Sequence, residues 1–514
     1  MFDHTKDYFN VFLRRESFFD MMKRLYDTFK DERYFGTYQG SIPVLTVCDP
    51  EIIKQITVKE FDHFLNHKPI VPTYYGVDPL WSKNLFSLRD TEWREMRSTL
   101  SPSFTSSKMK IIFSLMTECA DNYVNYFLKQ KKPIETECAD NYVNYFLKQK
   151  KPIEIELKDT TTRYTNDVIA TVAFGVTCDS INEKENEFYR MGKKTTTFTF
   201  LSNMKFLMYS IAPEFCKAIN LQLFSSDIYH FFNKLIKDTI EAREKHGTVR
   251  PDMIHLLLEA RKGKKVDDSS TEVIDTGFAT VQESAIHTSP TKPIQEITDM
   301  DIAAQAMIFF FAGFDSVSVL MSFMGYELVV NPDIQIRLQK EIDDTLEECN
   351  GKLTYEALLK MKYMDMVISE TLRKWPAAVI TDRVCSKPFT IEPINPGETP
   401  VHLKVGDSIF IPNSAIQRDP KYFPNPDTFD PERFNDENKG NIKPYTYIPF
   451  GSGPRNCIGS RFAILEAKTI FFFMLSKFTF VAIDKTQIPI KLSKKSFNLA
   501  GENGIWVGLE QRSK

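Results

Sequence analysis

Apolar residues dominate the chain from Ile302 to Val330, and an acid, Asp315, breaks them near the middle. A membrane span needs about 20 consecutive apolar residues. The acid and the preceding Gly313 therefore predict a buried core helix, from Asp299 to Val330. Apolar positions at helical spacing predict further helices from Glu92 to Leu100, Asp159 to Phe174 and Ser226 to Arg243, and a short one from Pro251 to Arg261. Strand-like segments are few: Gly36 to Val47, Phe389 to Ile391, Ser408 to Pro412, Phe478 to Ile483 and Gly504 to Leu509. Residues 262–297 are rich in Lys, Asp, Ser, Thr and Pro and read as an exposed, flexible loop. The expected fold class is mainly α with small β-sheets. No linker composition interrupts the pattern, so residues 1–514 are expected to form a single domain.

Thr117 to Glu135 recurs letter for letter as Thr136 to Glu154, a perfect 19-residue tandem duplication over 117–154. Solenoid repeats diverge and come in at least three copies. This pair does neither and has the character of a recent duplication or a gene-model error. Each copy reads as one amphipathic helix ending at a proline, Pro133 or Pro152. One copy is expected to be an insertion.

Composition narrows the class. Hydrophobic residues make up 42% and charged residues 26% of 514, enough for a large core. A net charge of −3 and a pI near 6.3 give no footprint for nucleic acid. The eight cysteines are scattered without a CxxC pair, which suits a reducing, cytosol-facing environment. The eight histidines form no zinc-ligand spacing. Residues 1–35 hold no signal peptide and no apolar run of spanning length, so an N-terminal segment lacking a membrane anchor is expected.

The sharpest chemical signal is Phe450-Gly-Ser-Gly-Pro-Arg-Asn-Cys-Ile-Gly459, running into the helical stretch Ser460 to Lys468. An arginine, backbone N–H groups and a helix N-terminus all favour a thiolate at Cys457. The loop does not fit a dinucleotide fold, because no βαβ unit surrounds Gly451 and Gly453. Within the long helix, Phe311-Ala-Gly-Phe-Asp-Ser316 puts Ala312 and Ser316 on one face. Gly313 costs about 1 kcal/mol there relative to alanine and permits close approach. Asp315 is costly in apolar surroundings unless it has a role. Trp93 and Arg97 share a helical face at i, i+4, as Glu370 and Arg373 do at i, i+3. Arg433 follows in Pro431-Glu-Arg-Phe434.

In their order and spelling these motifs resemble the cytochromes P450, over nearly the whole chain from Asp31 to Trp506. The microsomal drug-metabolising clan is nearest, and the insect family-9 members within it most of all. The resemblance implies a helical bundle around a buried haem b. Cys457 would ligate the iron, framed by Phe450 and Gly459. Trp93, Arg97, Arg383 and Arg455 would bind the haem propionates. Ala312 and Gly313 would line the oxygen side, and Asp315 and Ser316 would relay protons, a serine standing where the family usually has threonine. Glu370, Arg373 and Arg433 would brace the cysteine loop. The implied activity is NADPH-dependent monooxygenation of lipophilic small molecules. Electrons would come from NADPH–cytochrome P450 reductase, with cytochrome b5 as a further partner, at the cytosolic face of the endoplasmic reticulum membrane. Two alternatives stand beside it. One is a haem-thiolate isomerase or dehydratase, which Asp315 and Ser316 argue against. The other is an inactive product of a faulty gene model.

Overall fold

Helices carry most of the chain, and three small sheets flank them. The computed structural model describes residues 10–512 except 12, 40–41, 70–77, 131–151, 198–199, 220, 223, 248–251, 263–277, 280–296 and 497. The helices that matter for the site are α1 (Asp90–Leu100), α2 (Ser106–Gln130), α3 (Leu157–Ile169), α4 (Asp299–Val330), α5 (Lys362–Lys374) and α6 (Ser460–Lys477).

The long apolar stretch is the central helix α4. It starts in a capping box: Thr298 Oγ1 accepts the Asp301 amide, and the Asp301 carboxylate accepts the Thr298 amide. Such reciprocal caps satisfy two N-terminal donors and typically contribute about 1 kcal/mol. Helix α4 threads two hydrophobic clusters. Ile302 to Phe314 pack into one with Trp93, Met96, Leu100 and Ile169. Val317 to Val329 pack into the other with α2, α5 and α6. The stretch Ala312–Ser316 lies at the seam between the two. By length and composition α4 could span a bilayer, but it is mostly buried in the protein.

A four-stranded sheet, in the order β1-β2-β7-β4, joins an N-terminal segment to residues 381–411. Strands β1 (Tyr34–Gln39) and β2 (Ile42–Val47) form an antiparallel pair where the sequence predicts one continuous strand. Strand β2 runs parallel to β7 (Ser408–Ile411), and β4 (Thr381–Val384) lies antiparallel to β7 with Arg383 opposite Ile409. A second sheet places β9 (Trp506–Gln511) between β3 (Ile153–Glu156) and β8 (Phe478–Val481). The third is the β5–β6 pair, Phe389–Ile391 with Val401–Leu403.

The first repeat copy continues α2 as far as Gln130, burying Ala120, Tyr123, Val124 and Phe127 on one face, and its end at Pro133 lies outside the described residues. Of the second copy, Ile153 and Glu154 open β3 and the residues before Pro152 lie outside the described residues. Most of the 262–297 segment also lies outside them.

Candidate active site

Cys457 ends a loop whose shape depends on two glycines. Gly451 and Gly453 have φ of 75° and 72°, in the left-handed region that L side chains rarely adopt. A Cβ on Gly453 would also run into the backbone carbonyl of Thr57. The chain then turns back, and the Cys457 amide donates to the Phe450 carbonyl at 2.8 Å. Arg97 on α1 holds the loop from the side, donating to the carbonyl and to the side-chain oxygen of Asn456, both at 2.8 Å. The sulfur is accessible, yet burial raises its thiol pKa, against the Gly459 amide and the Arg97 charge. Accessible surface together with desolvation marks the wall of an interior hollow. A coordinated cation is what would deprotonate such a thiol outright.

Helix α4 loses its cover on one face at the same place. Ala312 and Ser316 are exposed in the middle of a mostly buried helix, with Ile308 and Phe309 half-buried beside them. Phe309 stacks on Phe104 at 5.5 Å, and Phe104 lies against Gly459, so one aromatic side chain links this face to the cysteine loop. Ser316 Oγ donates to the Ala312 carbonyl at 2.6 Å. Asp315 turns to the side. Its carboxylate lies 2.8 Å from Lys158 Nζ and also accepts from the Asn498 amide. Lys158 reaches Ser318 Oγ as well, at 2.5 Å. The space a side chain would need at Gly313 is filled by Ile169 of α3. This glycine admits a neighbouring helix to α4.

Behind the loop lies a fully buried ion pair. Arg373 Nε and one terminal nitrogen donate to Glu370 at 2.6 and 2.8 Å, and neither side chain is exposed. Glu370 also accepts the Asp430 amide at 2.9 Å and pairs with Arg433 at 3.5 Å. Arg373 donates onward to the carbonyls of Gln417 and Pro426. Gln417 in turn accepts the Ile448 amide at 3.1 Å, at the entrance to the cysteine loop. The network thus runs from α5 to the loop.

A family model for cytochrome P450 matches residues 8–506. The chain belongs to the cytochrome P450 family. Cytochrome P450 9e2 of Blattella germanica is 46% identical over 501 residues, covering 98% of this chain and 90% of that protein. Probable cytochrome P450 9f2 of Drosophila melanogaster is 43% identical over 511 residues, with 98% and 91% covered. Cytochrome P450 3A16 of Mus musculus is 33% identical over 471 residues, with 90% and 81% covered. The mainly α fold and the reaction class, haem-thiolate monooxygenation, follow from this membership. It does not favour the isomerase reading.

A P450 carries haem, and the donor set here fits its carboxylates. Trp93, Arg97, Arg383 and Arg455 are all buried. Nε and one terminal nitrogen of Arg383, and a terminal nitrogen of Arg455, have no hydrogen-bond partner. The other terminal nitrogen of Arg455 donates to the carbonyls of Phe86 and Leu88, and its guanidinium stacks on Trp93 at 4.3 Å. Burial pulls Arg383 down to about 10 and Arg455 well below the usual arginine range. Orphaned buried guanidinium N–H groups are expensive, and carboxylates are the partners whose geometry they match. Three residues of the site escape sequence reasoning: His67, Asp382 and Gln417. None sits in a spaced motif, and each acquires its partners only through tertiary contact.

Proposed function

We propose that this P450 oxidises lipophilic small molecules, xenobiotic or endogenous, with Cys457 as the iron ligand. The observation that carries the reading is the Cys457 sulfur: accessible, desolvated and held on a fixed loop opposite the uncovered face of α4. Chemistry at a thiolate-ligated haem iron is dioxygen activation by O–O cleavage. Trp93, Arg97, Arg383 and Arg455 would hold the propionates, and Phe450 and Gly459 frame the thiolate. Ala312 leaves a smooth wall where oxygen and substrate meet. Ser316, on that same wall, would hand a proton to the oxygen side. Asp315 would resupply Ser316 from the Lys158 and Asn498 side by rotating away from its ion pair. Glu370, Arg373 and Arg433 would keep the loop in register.

Substrate class is supported by the aromatic lining beside α4. Trp81 packs against Phe224 at 5.8 Å and edge-on to Phe311 at 6.0 Å. Such a wall binds apolar surface and offers few polar anchors. Electrons would come from NADPH through the P450 reductase, with cytochrome b5 as an alternative donor. Arg94, Lys443 and Arg461 are proposed as the basic docking patch; Arg94 already pairs with Asp62. The chain would work at the cytosolic face of the endoplasmic reticulum membrane, where lipophiles concentrate. Further proposals are that residues 1–514 form one domain, that 262–297 is an exposed loop apart from the buried Ala279 and Ile297, and that one repeat copy is an insertion. The test is reconstitution with reductase and NADPH on a panel of lipophiles. Product carrying one oxygen atom from labelled dioxygen supports the reading. NADPH-independent rearrangement of a lipid hydroperoxide, without such product, would replace it with the isomerase reading.

A further inference from the structure

Gln305 is a primary amide sealed inside the apolar helix α4, with no exposed surface. It lies four residues after Asp301 and six before Phe311. Its Nε2 donates to the Lys83 carbonyl at 2.7 Å, and its Oε1 accepts the Leu85 amide at 2.8 Å. A side-chain amide can donate to one backbone group and accept from another at the same time. The contact with Leu85 is buried, so an apolar side chain at 305 would leave that amide unsatisfied.

The segment that Gln305 holds has little stability of its own. Pro79–Ser82 is a helical turn of four residues, capped by Asp78, whose carboxylate accepts the Trp81 amide at 3.3 Å. A helix that short is not stable alone in water. Asn84 closes the turn that follows: its side chain donates to the Leu80 carbonyl at 3.2 Å and accepts the Ser87 amide at 3.0 Å. Residues 79–87 are thus one small folded unit, and its place depends on what ties it to the rest of the protein. Lys83 pairs with Asp301 of α4 at 2.9 Å, but the lysine is 44% exposed, and a pair so open to water contributes little. Gln305 supplies the buried tie. The unit carries Trp81, which is buried and packs on Phe224 and Phe311. Phe311 belongs to α4 itself, so the clamp and the wall contact share one helix.

We propose that Gln305 is a positioning residue for substrate choice: its amide clamps the backbone of residues 83–85 to α4 and thereby fixes Trp81 in the aromatic wall, so that aryl-bearing lipophiles are bound in preference to small ones. This rests on the haem reading above and on the aromatic lining beside α4. Gln305 touches no ligand; it acts through Trp81. An indole offers aryl surface a partner only when its plane is held, because offset and edge-on arrangements depend on angle. Holding the ring in advance also removes the cost of ordering it from the binding step. With the clamp broken, the unit keeps its own turns and Trp81 keeps its chemistry, but the position of the ring is lost.

The experiment compares two probes on haem-loaded protein, imidazole and 1-phenylimidazole. Both ligate iron through nitrogen and shift the Soret band, and only the second carries an aryl group. The ratio of their dissociation constants reads the wall and cancels changes at the iron. Wild type should favour 1-phenylimidazole. Gln305→Leu should cut that preference by up to about tenfold, the size of one well-placed aromatic contact. In a Trp81→Ala background, where the wall partner is already gone, adding Gln305→Leu should change the ratio no further. An unchanged ratio in Gln305→Leu, or an equal drop in the Trp81→Ala background, would overturn the proposal. If Gln305→Leu does not fold, hydrogen exchange on the wild-type protein decides: a protected Leu85 amide supports the clamp, and fast exchange there overturns it. A wild-type protein that gives no Soret shift with imidazole overturns the haem reading and this proposal with it, and the missing shift identifies that outcome.

Discussion

Replacing Arg373 by methionine isolates the brace behind the cysteine loop. The variant keeps the volume of the side chain but removes both donors to Glu370 and those to the carbonyls of Gln417 and Pro426. Glu370, fully buried, keeps the Asp430 amide and the longer contact to Arg433. Burial already raises Glu370 against Arg373, Asp430 and Arg433, and losing Arg373 raises it further. Its cheapest escape is to take up a proton. From an ordinary pKa of 4.5, protonation costs about 3.4 kcal/mol at pH 7 and about 0.7 kcal/mol at pH 5, at 1.36 kcal/mol per unit. The first figure falls in the 3–5 kcal/mol range for breaking a buried pair, roughly, and is a large part of a total stability of about 5–15 kcal/mol. A carboxyl with a raised folded-state pKa loses its stabilising contribution as pH rises, so the damage should grow from pH 5 to pH 7. Urea unfolding followed by far-ultraviolet circular dichroism at several pH values measures this. The double variant Glu370→Gln with Arg373→Met should show no such growth, because no carboxyl remains to titrate. A single-variant loss equal at pH 5 and pH 7.5 would refute the reasoning.

Gly453→Ala should cripple haem incorporation while leaving the helices intact, because the new Cβ meets the Thr57 carbonyl and the residue needs a positive φ; haem content per folded protein reads this, and normal loading would contradict it. Asp315→Asn should keep haem and substrate binding, slow turnover and divert reducing equivalents to peroxide, measured as product formed per NADPH consumed. Unchanged coupling would remove Asp315 from proton delivery. Deleting Thr136–Glu154 should preserve or improve folding and haem incorporation, since Gln130 ends α2 and Ile155 remains in β3. Loss of the Soret band in that variant would show that both copies are needed.

Much of this architecture is legible in the sequence wherever the signal is local. The bounds of α4 are readable from its apolar run, and the cysteine loop from its own letters. Other features depend on contacts between distant segments. Strand β4 is four residues long and pairs with β7, so no alternation reveals it. Arg383 is recognisable as a site residue only through the family resemblance. Gly313 looks like room for a ligand in one dimension, whereas the fold puts Ile169 in that space. Asp315 reads as an acid beside a hydroxyl, but the side chains diverge: Ser316 faces the hollow and Asp315 faces Lys158. His67 had no motif at all. Its carboxylate partner, Asp382, lies more than three hundred residues away.

The reduced carbonyl spectrum tests the central claim most directly. Haem-loaded wild-type protein, reduced and exposed to carbon monoxide, should show the red-shifted Soret band of a thiolate-ligated ferrous complex. Cys457→His should take up haem but give the band position of a nitrogen-ligated carbonyl. A red-shifted band that survives in Cys457→His, or its absence from wild-type protein that has bound haem, would contradict the assignment of Cys457 as the iron ligand.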